Sequence, residues 1–124
     1  MDDSDVTEPI FEATEKAGFA PVTWLDAGTR NFYTVGKAIH SPTDLKGLKI
    51  RVQQSPTNIE MMKLLGGSAA PMGFGEVYTA LQSNIIDGAE NNEMALTDNG
   101  HGDVCKYYSY DMHQMVPDIL IGNY

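Results

Sequence analysis

The chain has 124 residues, 42% hydrophobic and 20% charged, a composition ordinary for a globular protein and a length that suits one domain rather than two full lobes. Its formal net charge of −9 argues against nucleic acid or an anionic membrane surface as partner. The single cysteine, Cys105, excludes an intrachain disulfide, and no apolar run approaches the roughly eighteen residues of a membrane span.

The start, MDDSDVTEP, has neither the basic n-region nor the apolar core of a secretory signal. Asp2, Asp3, Asp5, Glu8, Glu12 and Glu15 crowd the amino end, which reads as a solvated helix face. Asp5 to Lys16 is predicted helical, because Val6, Ile10, Ala13 and Ala17 recur at helical spacing and Pro9 falls in the first turn. Gly18 ends it. Pro21 to Asp26 alternates as a strand, Gly28 marks a turn, and Arg30 to Val35 resumes an extended pattern.

Ser41 and Pro42 have the chemistry of a cap and first position of a short helical turn, closed by Gly47. Leu48, Ile50 and Val52 share one face of the next strand, which turns Lys49 and Arg51 to the other. Ser55 and Pro56 open a helix whose apolar stripe is Ile59, Met62 and Leu65, and Gly66-Gly67 terminates it. Ala69 to Met72 reads as a short strand, Glu76 to about Asn84 as a helix packed through Val77, Ala80 and Leu81, and Ile85 to Asp87 as a strand. Gly88 then lets the backbone turn toward Glu90 and Asn91. A short helix through Met94 and Leu96, an irregular stretch from Asp98 to Asp103, and extended segments from Lys106 to Met112 and Asp118 to Gly122 complete an α/β chain with a mostly βαβ core. In such folds ligands sit beyond the carboxyl ends of the strands, so Leu48 to Asn92 is the candidate half of an anion-binding cleft.

Several motifs carry less than they suggest. Gly73-Phe74-Gly75-Glu76 lacks the third glycine and the lysine of a phosphate loop, and Glu76 brings the wrong charge. His101, Asp103, Cys105 and His113 are too sparse for a structural zinc site. The serines lack a nucleophile-elbow context. Arg30 and Arg51, the only arginines, stand apart: each is a surface or salt-bridge residue, or else a bidentate carboxylate clamp of the kind a planar guanidinium suits.

At Arg51 a resemblance becomes specific. Asp44 to Val52 (DLKGLKIRV), Pro71 to Gln82 (PMGFGEVYTALQ), Asp87 to Asn91 (DGAEN) and Gly28-Thr29-Arg30 resemble, in order, the motifs of TRAP-type solute-binding proteins, the DctP family. That resemblance implies an incomplete lobe of a two-lobed periplasmic-binding-protein-like fold that captures an organic acid for a membrane permease. It implies no catalysis, no cofactor and no metal, and a periplasmic or extracytoplasmic location, with a lipid anchor as a variant.

By the same resemblance Arg51 pairs with the ligand carboxylate, Arg30 is a second cationic contact, Asn91 hydrogen-bonds the carboxylate and Phe74 walls the carbon skeleton. Gln54 and His113 fall on polar cleft positions. Asn92, with Ala89, gives AENN where many relatives read QENP, a variant resembling the branch for sugar acids such as hexuronates. A C4-dicarboxylate receptor is the alternative, and a small carboxylate-processing enzyme a more distant one. Intact members are longer. Residues 1–26 correspond to the end of lobe one, 27–116 to the carboxylate-binding second lobe, and 117–124 to a strand returning to lobe one. Apolar surface left uncovered by the missing parts would favour association between copies.

Overall fold

The computed structural model describes residues 4–123, so Asp2 and Asp3 of the acidic amino end lie outside the described residues. Two units share the chain: one lies within residues 1–28 and 115–124, the other is Thr29–Gln114.

In the first unit, α1 (Ser4–Lys16) precedes β1 (Phe19–Leu25), which pairs antiparallel with β7 (Asp118–Asn123). The helical spacing of Val6 and Ile10 does produce a helix, but they stay exposed and α1 buries no residue. Its apolar anchor is Phe11, stacked on Trp24 at 5.7 Å between ring centroids. Pro9 sits sixth in the helix rather than in its first turn.

The second unit is a five-stranded sheet in the order β4-β3-β5-β2-β6, formed by β2 (Thr29–Thr34), β3 (Lys49–Val52), β4 (Ser68–Pro71), β5 (Gly88–Asn91) and β6 (Tyr107–Met115). β3 runs parallel to both β4 and β5, as a βαβ reading requires, whereas β2 runs antiparallel to β5. The sheet is therefore mixed. The carboxyl ends of β3, β4 and β5 and the amino end of β2 reach the same edge.

Strand alternation divides the core into two layers. Ile50 and Val52 join Phe32, Ile39, Leu45 and Met62 on the side of α2 (Pro56–Leu64), while Tyr33 and Ala89 join Val77, Ala80, Leu81 and Ile86 on the side of α3 (Val77–Gln82). Each large side chain buried in this way contributes about 1.5–3 kcal/mol relative to exposure. The predicted stripe on α2 faces this layer, with Met62 fully buried and Ile59 and Leu65 packed beside it, while the flanking Leu64 is 80% exposed.

Ile85 to Asp87 is not a strand; the strand is β5, which starts at Gly88. Gly88 is needed there for close packing rather than for a turn. A Cβ on it would lie 2.5 Å from the Tyr33 carbonyl oxygen and 2.8 Å from Thr34 Cγ2. Just before it, Asp87 stitches the sheet: its N–H donates to the Lys49 carbonyl at 2.8 Å and its carboxylate accepts from the Lys49 N–H at 2.7 Å. The remaining elements among the described residues are α4 (Met94–Thr97) and three 3₁₀ turns, at Pro42–Leu45 where Ser41 and Pro42 predict one, at Phe74–Glu76, and at His101–Asp103 inside the stretch that reads as irregular.

Candidate functional site

The register that builds the sheet also decides which polar residues meet. Arg51 pairs with Ala70 on one side and Ala89 on the other, and Ala89 pairs with Tyr33. Residues paired across a sheet share a face. Two alanines thus flank Arg51, and their small side chains leave room for the guanidinium to lie along the sheet. Its Nε and Nη2 both donate to the Met72 carbonyl oxygen, at 3.1 and 3.0 Å, and its Cζ stands 5.7 Å from the centre of the Phe74 ring. Arg51 is only 3% exposed, yet among the described residues no carboxylate lies within ion-pair distance of it. Burial draws its pKa below the usual arginine value, against which the charges of Glu90 and Tyr33 act in the opposite sense.

Arg30 occupies the other face, with Phe32. Its guanidinium forks onto Glu90: Nε meets Oε2 at 2.5 Å, and Nη2 reaches Oε1 at 3.0 Å and the Glu90 carbonyl at 2.9 Å. Glu90 is completely buried. Burial alone would raise its pKa, but His113 and Arg30 outweigh that and hold it below the ordinary glutamate value. His113 Nε2 lies 3.5 Å from Glu90 Oε2, an ion-pair distance, and its Nδ1 is 2.6 Å from Asp111 Oδ2. Burial opposes a charge on His113, yet Asp111 and Glu90 prevail and push its pKa up to about 9. Asp111, which burial would raise, is instead lowered by its hydrogen bond with His113. Arg30, Glu90, His113 and Asp111 therefore form a line of alternating charge.

A kink in β6 sets His113 in that line. Met112 has φ +46°, uncommon for a residue other than glycine. Side chains supply ladder bonds there, Met112 N–H donating to Asn31 Oδ1 and Phe32 N–H to Asp111 Oδ1, both at 2.8 Å. The His113 ring stacks on Phe32 at 4.3 Å.

Asn91 lies on the face of Arg51, since it pairs with Asn31 two residues beyond the Tyr33–Ala89 pair. Its Oδ1 accepts from the Asn92 N–H at 2.9 Å, while its Nδ2 has no partner among the described residues. The Tyr108 hydroxyl donates to the Asn91 carbonyl at 3.3 Å and accepts from Asn31 Nδ2 at 2.9 Å. Asn92 follows β5, half-buried, and Gln54 is exposed beyond β3, outside both groups. Its neighbour Gln53 accepts instead from the buried Asn58 at 2.9 Å.

The residues singled out in the sequence thus fall into two sets at one sheet edge: Arg51, Phe74 and Asn91 on one face, Arg30 and His113 on the other. The sequence reading missed Glu90 and Asp111 as the counterions, and Tyr33, Tyr108 and His101 as supports. The period-2 pattern separates Glu90 from Asn91, but Arg30 lies 60 positions from Glu90 and Tyr108 lies 17 from Asn91, so only the sheet register reveals them as partners. Among the described residues no group of three or more candidate metal ligands gathers around His101 or elsewhere.

A family described as "Bacterial extracellular solute-binding protein, family 7" matches residues 1–124. The protein YiiZ of Salmonella typhimurium, described as uncharacterized, is 53% identical over 121 residues, covering 98% of this chain and 37% of that protein. A periplasmic TRAP solute-binding protein from Anaerococcus prevotii, solved with bound α/β-D-glucuronate, matches with TM-score 0.92 and 76% identity over 100% of this chain and 40% of that one. One from Xanthobacter autotrophicus with bound β-D-galacturonate matches with TM-score 0.89 and 41% identity over 98% of this chain and 40% of that one. The chain spans well under half the length of these relatives.

Proposed function

The chain belongs to the bacterial extracellular solute-binding proteins of family 7, and from that premise we propose that it carries the carboxylate-gripping part of a TRAP receptor for a sugar acid, a hexuronate such as glucuronate or galacturonate. The observation that supports this best is Arg51: a guanidinium 3% exposed, held on a carbonyl and beside an aromatic ring, with no carboxylate among the described residues at ion-pair distance to neutralise it. A buried cation without a counterion is costly, and an incoming carboxylate relieves that cost. Each charge-assisted hydrogen bond in such a pair contributes about 1.5–3 kcal/mol where water is excluded.

In this reading Arg51 anchors the carboxylate, Asn91 Nδ2, which has no partner among the described residues, adds a donor, and Phe74 lines the carbon skeleton. Arg30, already satisfied by Glu90, offers its remaining edge as a second cationic or hydroxyl contact, with His113 behind it. Asn92 and Gln54 are outer polar contacts. Residues 27–116 form the gripping lobe and residues 1–26 and 117–124 join it to the other lobe, which closes over the bound acid. The intact receptor works in the periplasm, delivers its ligand to a membrane permease and performs no chemistry.

Calorimetry on the full-length receptor with D-glucuronate, D-galacturonate and succinate tests this. Tight binding of a hexuronate, abolished or severely weakened by Arg51→Lys, is the expected result. Selective binding of succinate would transfer the protein to the C4-dicarboxylate receptors, turnover of any of these acids would make it an enzyme, and unchanged affinity in Arg51→Lys would remove Arg51 from its role.

A further inference from the structure

A ring 5.7 Å from a guanidinium steadies it only if the ring is itself held. Phe74 is 40% exposed and lies in a single 3₁₀ turn, Phe74–Glu76, so its own element constrains it little. It rests on the imidazole of His101, 5.3 Å away between ring centroids at an interplanar angle of 42°. His101 is 2% exposed, and its Nδ1 lies 2.7 Å from the hydroxyl oxygen of Tyr33, whose ring tilts against it at 5.7 Å.

The direction of that hydrogen bond follows from satisfaction of buried polar groups. Tyr33 is fully buried, and its hydroxyl has no other partner among the described residues. A buried O–H needs an acceptor, and Nδ1 is the one in reach, so Tyr33 donates. Nδ1 must then carry a bare lone pair, which places the imidazole proton on Nε2. A neutral ring also adds no second positive charge beside Arg51. Burial first, and the charge of Arg51 second, draw the His101 pKa below its usual value in agreement with that state. Burial raises the Tyr33 hydroxyl pKa, which keeps the donor protonated.

We propose that His101 is a positioning residue of the anion site: its ring seats Phe74 against the Arg51 guanidinium, and Tyr33 locks it in the neutral Nε2–H tautomer. The proposal rests on Arg51 being the ligand anchor. It extends the site inward, along a file of rings from Phe74 through His101 and Tyr33 to Tyr108, which stacks on Tyr33 at 6.3 Å and holds the Asn91 carbonyl. One run of aromatic side chains thereby sets both the cation and the amide of the carboxylate grip.

A double-mutant cycle in the full-length receptor, read by calorimetry with D-glucuronate, tests the coupling. His101→Asn keeps an acceptor for Tyr33 and removes the ring. It should weaken binding about five- to tenfold, the scale of a cation–π contact, and add nothing once Phe74→Ala is present. Long-range ¹H–¹⁵N correlation should find the His101 proton on Nε2 at pH 7, and Tyr33→Phe should erase that single-tautomer signature. Wild-type affinity in His101→Asn, a loss that adds in full to that of Phe74→Ala, or a proton on Nδ1 would each overturn the proposal. Loss of binding in Arg51→Lys without any effect of His101→Asn removes only His101, whereas intact binding in Arg51→Lys removes the anchor itself.

Discussion

Replacing Glu90 by glutamine probes the line of alternating charges. Glu90 is completely buried and serves two cations at once, Arg30 through three hydrogen bonds to its carboxylate and carbonyl and His113 through an ion pair. Glutamine keeps the shape and one acceptor but turns an amide donor toward one of these cations and removes the charge. Breaking one partner of a buried pair costs about 3–5 kcal/mol, because the remaining charges are left uncompensated. Linkage supplies an independent signature. His113 has a folded pKa raised from 6.5 to about 9, which corresponds to about 3 kcal/mol of stability. A raised histidine contributes fully below pH 6.5 and loses its contribution as pH climbs through about 9. Glu90 and Asp111 have lowered pKa values, so their contributions are present above their ordinary values of 4.5 and 3.8 and vanish as the solution becomes more acidic. The network is therefore complete between about pH 4.5 and 6.5 and weakens on either side. Urea unfolding followed by circular dichroism at pH 5.5, 7 and 9.5 should find the native protein losing stability toward pH 9.5. Glu90→Gln should be less stable at pH 5.5, with a flatter dependence above it, and the His113 titration measured by NMR should move down. A variant within about 1 kcal/mol of the native protein, with an unmoved His113 titration, would refute the reasoning.

Other outcomes follow from the same geometry. Gly88→Ala should destabilise by about 1–3 kcal/mol in chemical denaturation, because its Cβ would meet the Tyr33 carbonyl, a backbone atom that cannot rotate away. Tyr108→Phe removes two hydrogen bonds, to Asn31 and to Asn91, and should cost about 1–3 kcal/mol while lowering glucuronate affinity in the full-length receptor. The 124-residue chain alone should bind hexuronate weakly or not at all by calorimetry, since it spans well under half of its relatives. Sedimentation should find it associating with itself, because Val6, Val22, Leu25 and Leu120 of its first unit are each 48% exposed or more.

Much of the scaffold can be read from local chemistry. Gly66-Gly67 after the stripe on Ile59, Met62 and Leu65 ends α2 near where the pattern breaks, and the alternation of Leu48, Ile50 and Val52 correctly turns Arg51 away from their layer. β5 is the exception. Ile85 and Ile86 have the β-branched character of a strand, yet Asp87 spends its hydrogen bonds on Lys49 and the strand begins at Gly88. That shift depends on how closely β2 approaches β5, a distance set by packing across the sheet and not by the propensity of either isoleucine.

The two arginines mark the same division. Their scarcity and the planar guanidinium already made Arg30 and Arg51 the residues to explain, and side-chain order along each strand assigned their faces once the strands were known. What the amino-acid order could not decide was which arginine has a counterion. Glu90 lies 60 positions from Arg30 and reaches it because β2 and β5 pair antiparallel, with Phe32 opposite Glu90. Arg51 is bracketed by Ala70 and Ala89 through parallel pairings on both sides, and neither brings a carboxylate. The residue types, their spacing and the strand period are properties of the sequence. The difference between an arginine paired with a carboxylate and one without such a partner among the described residues arises only when distant strands come into register.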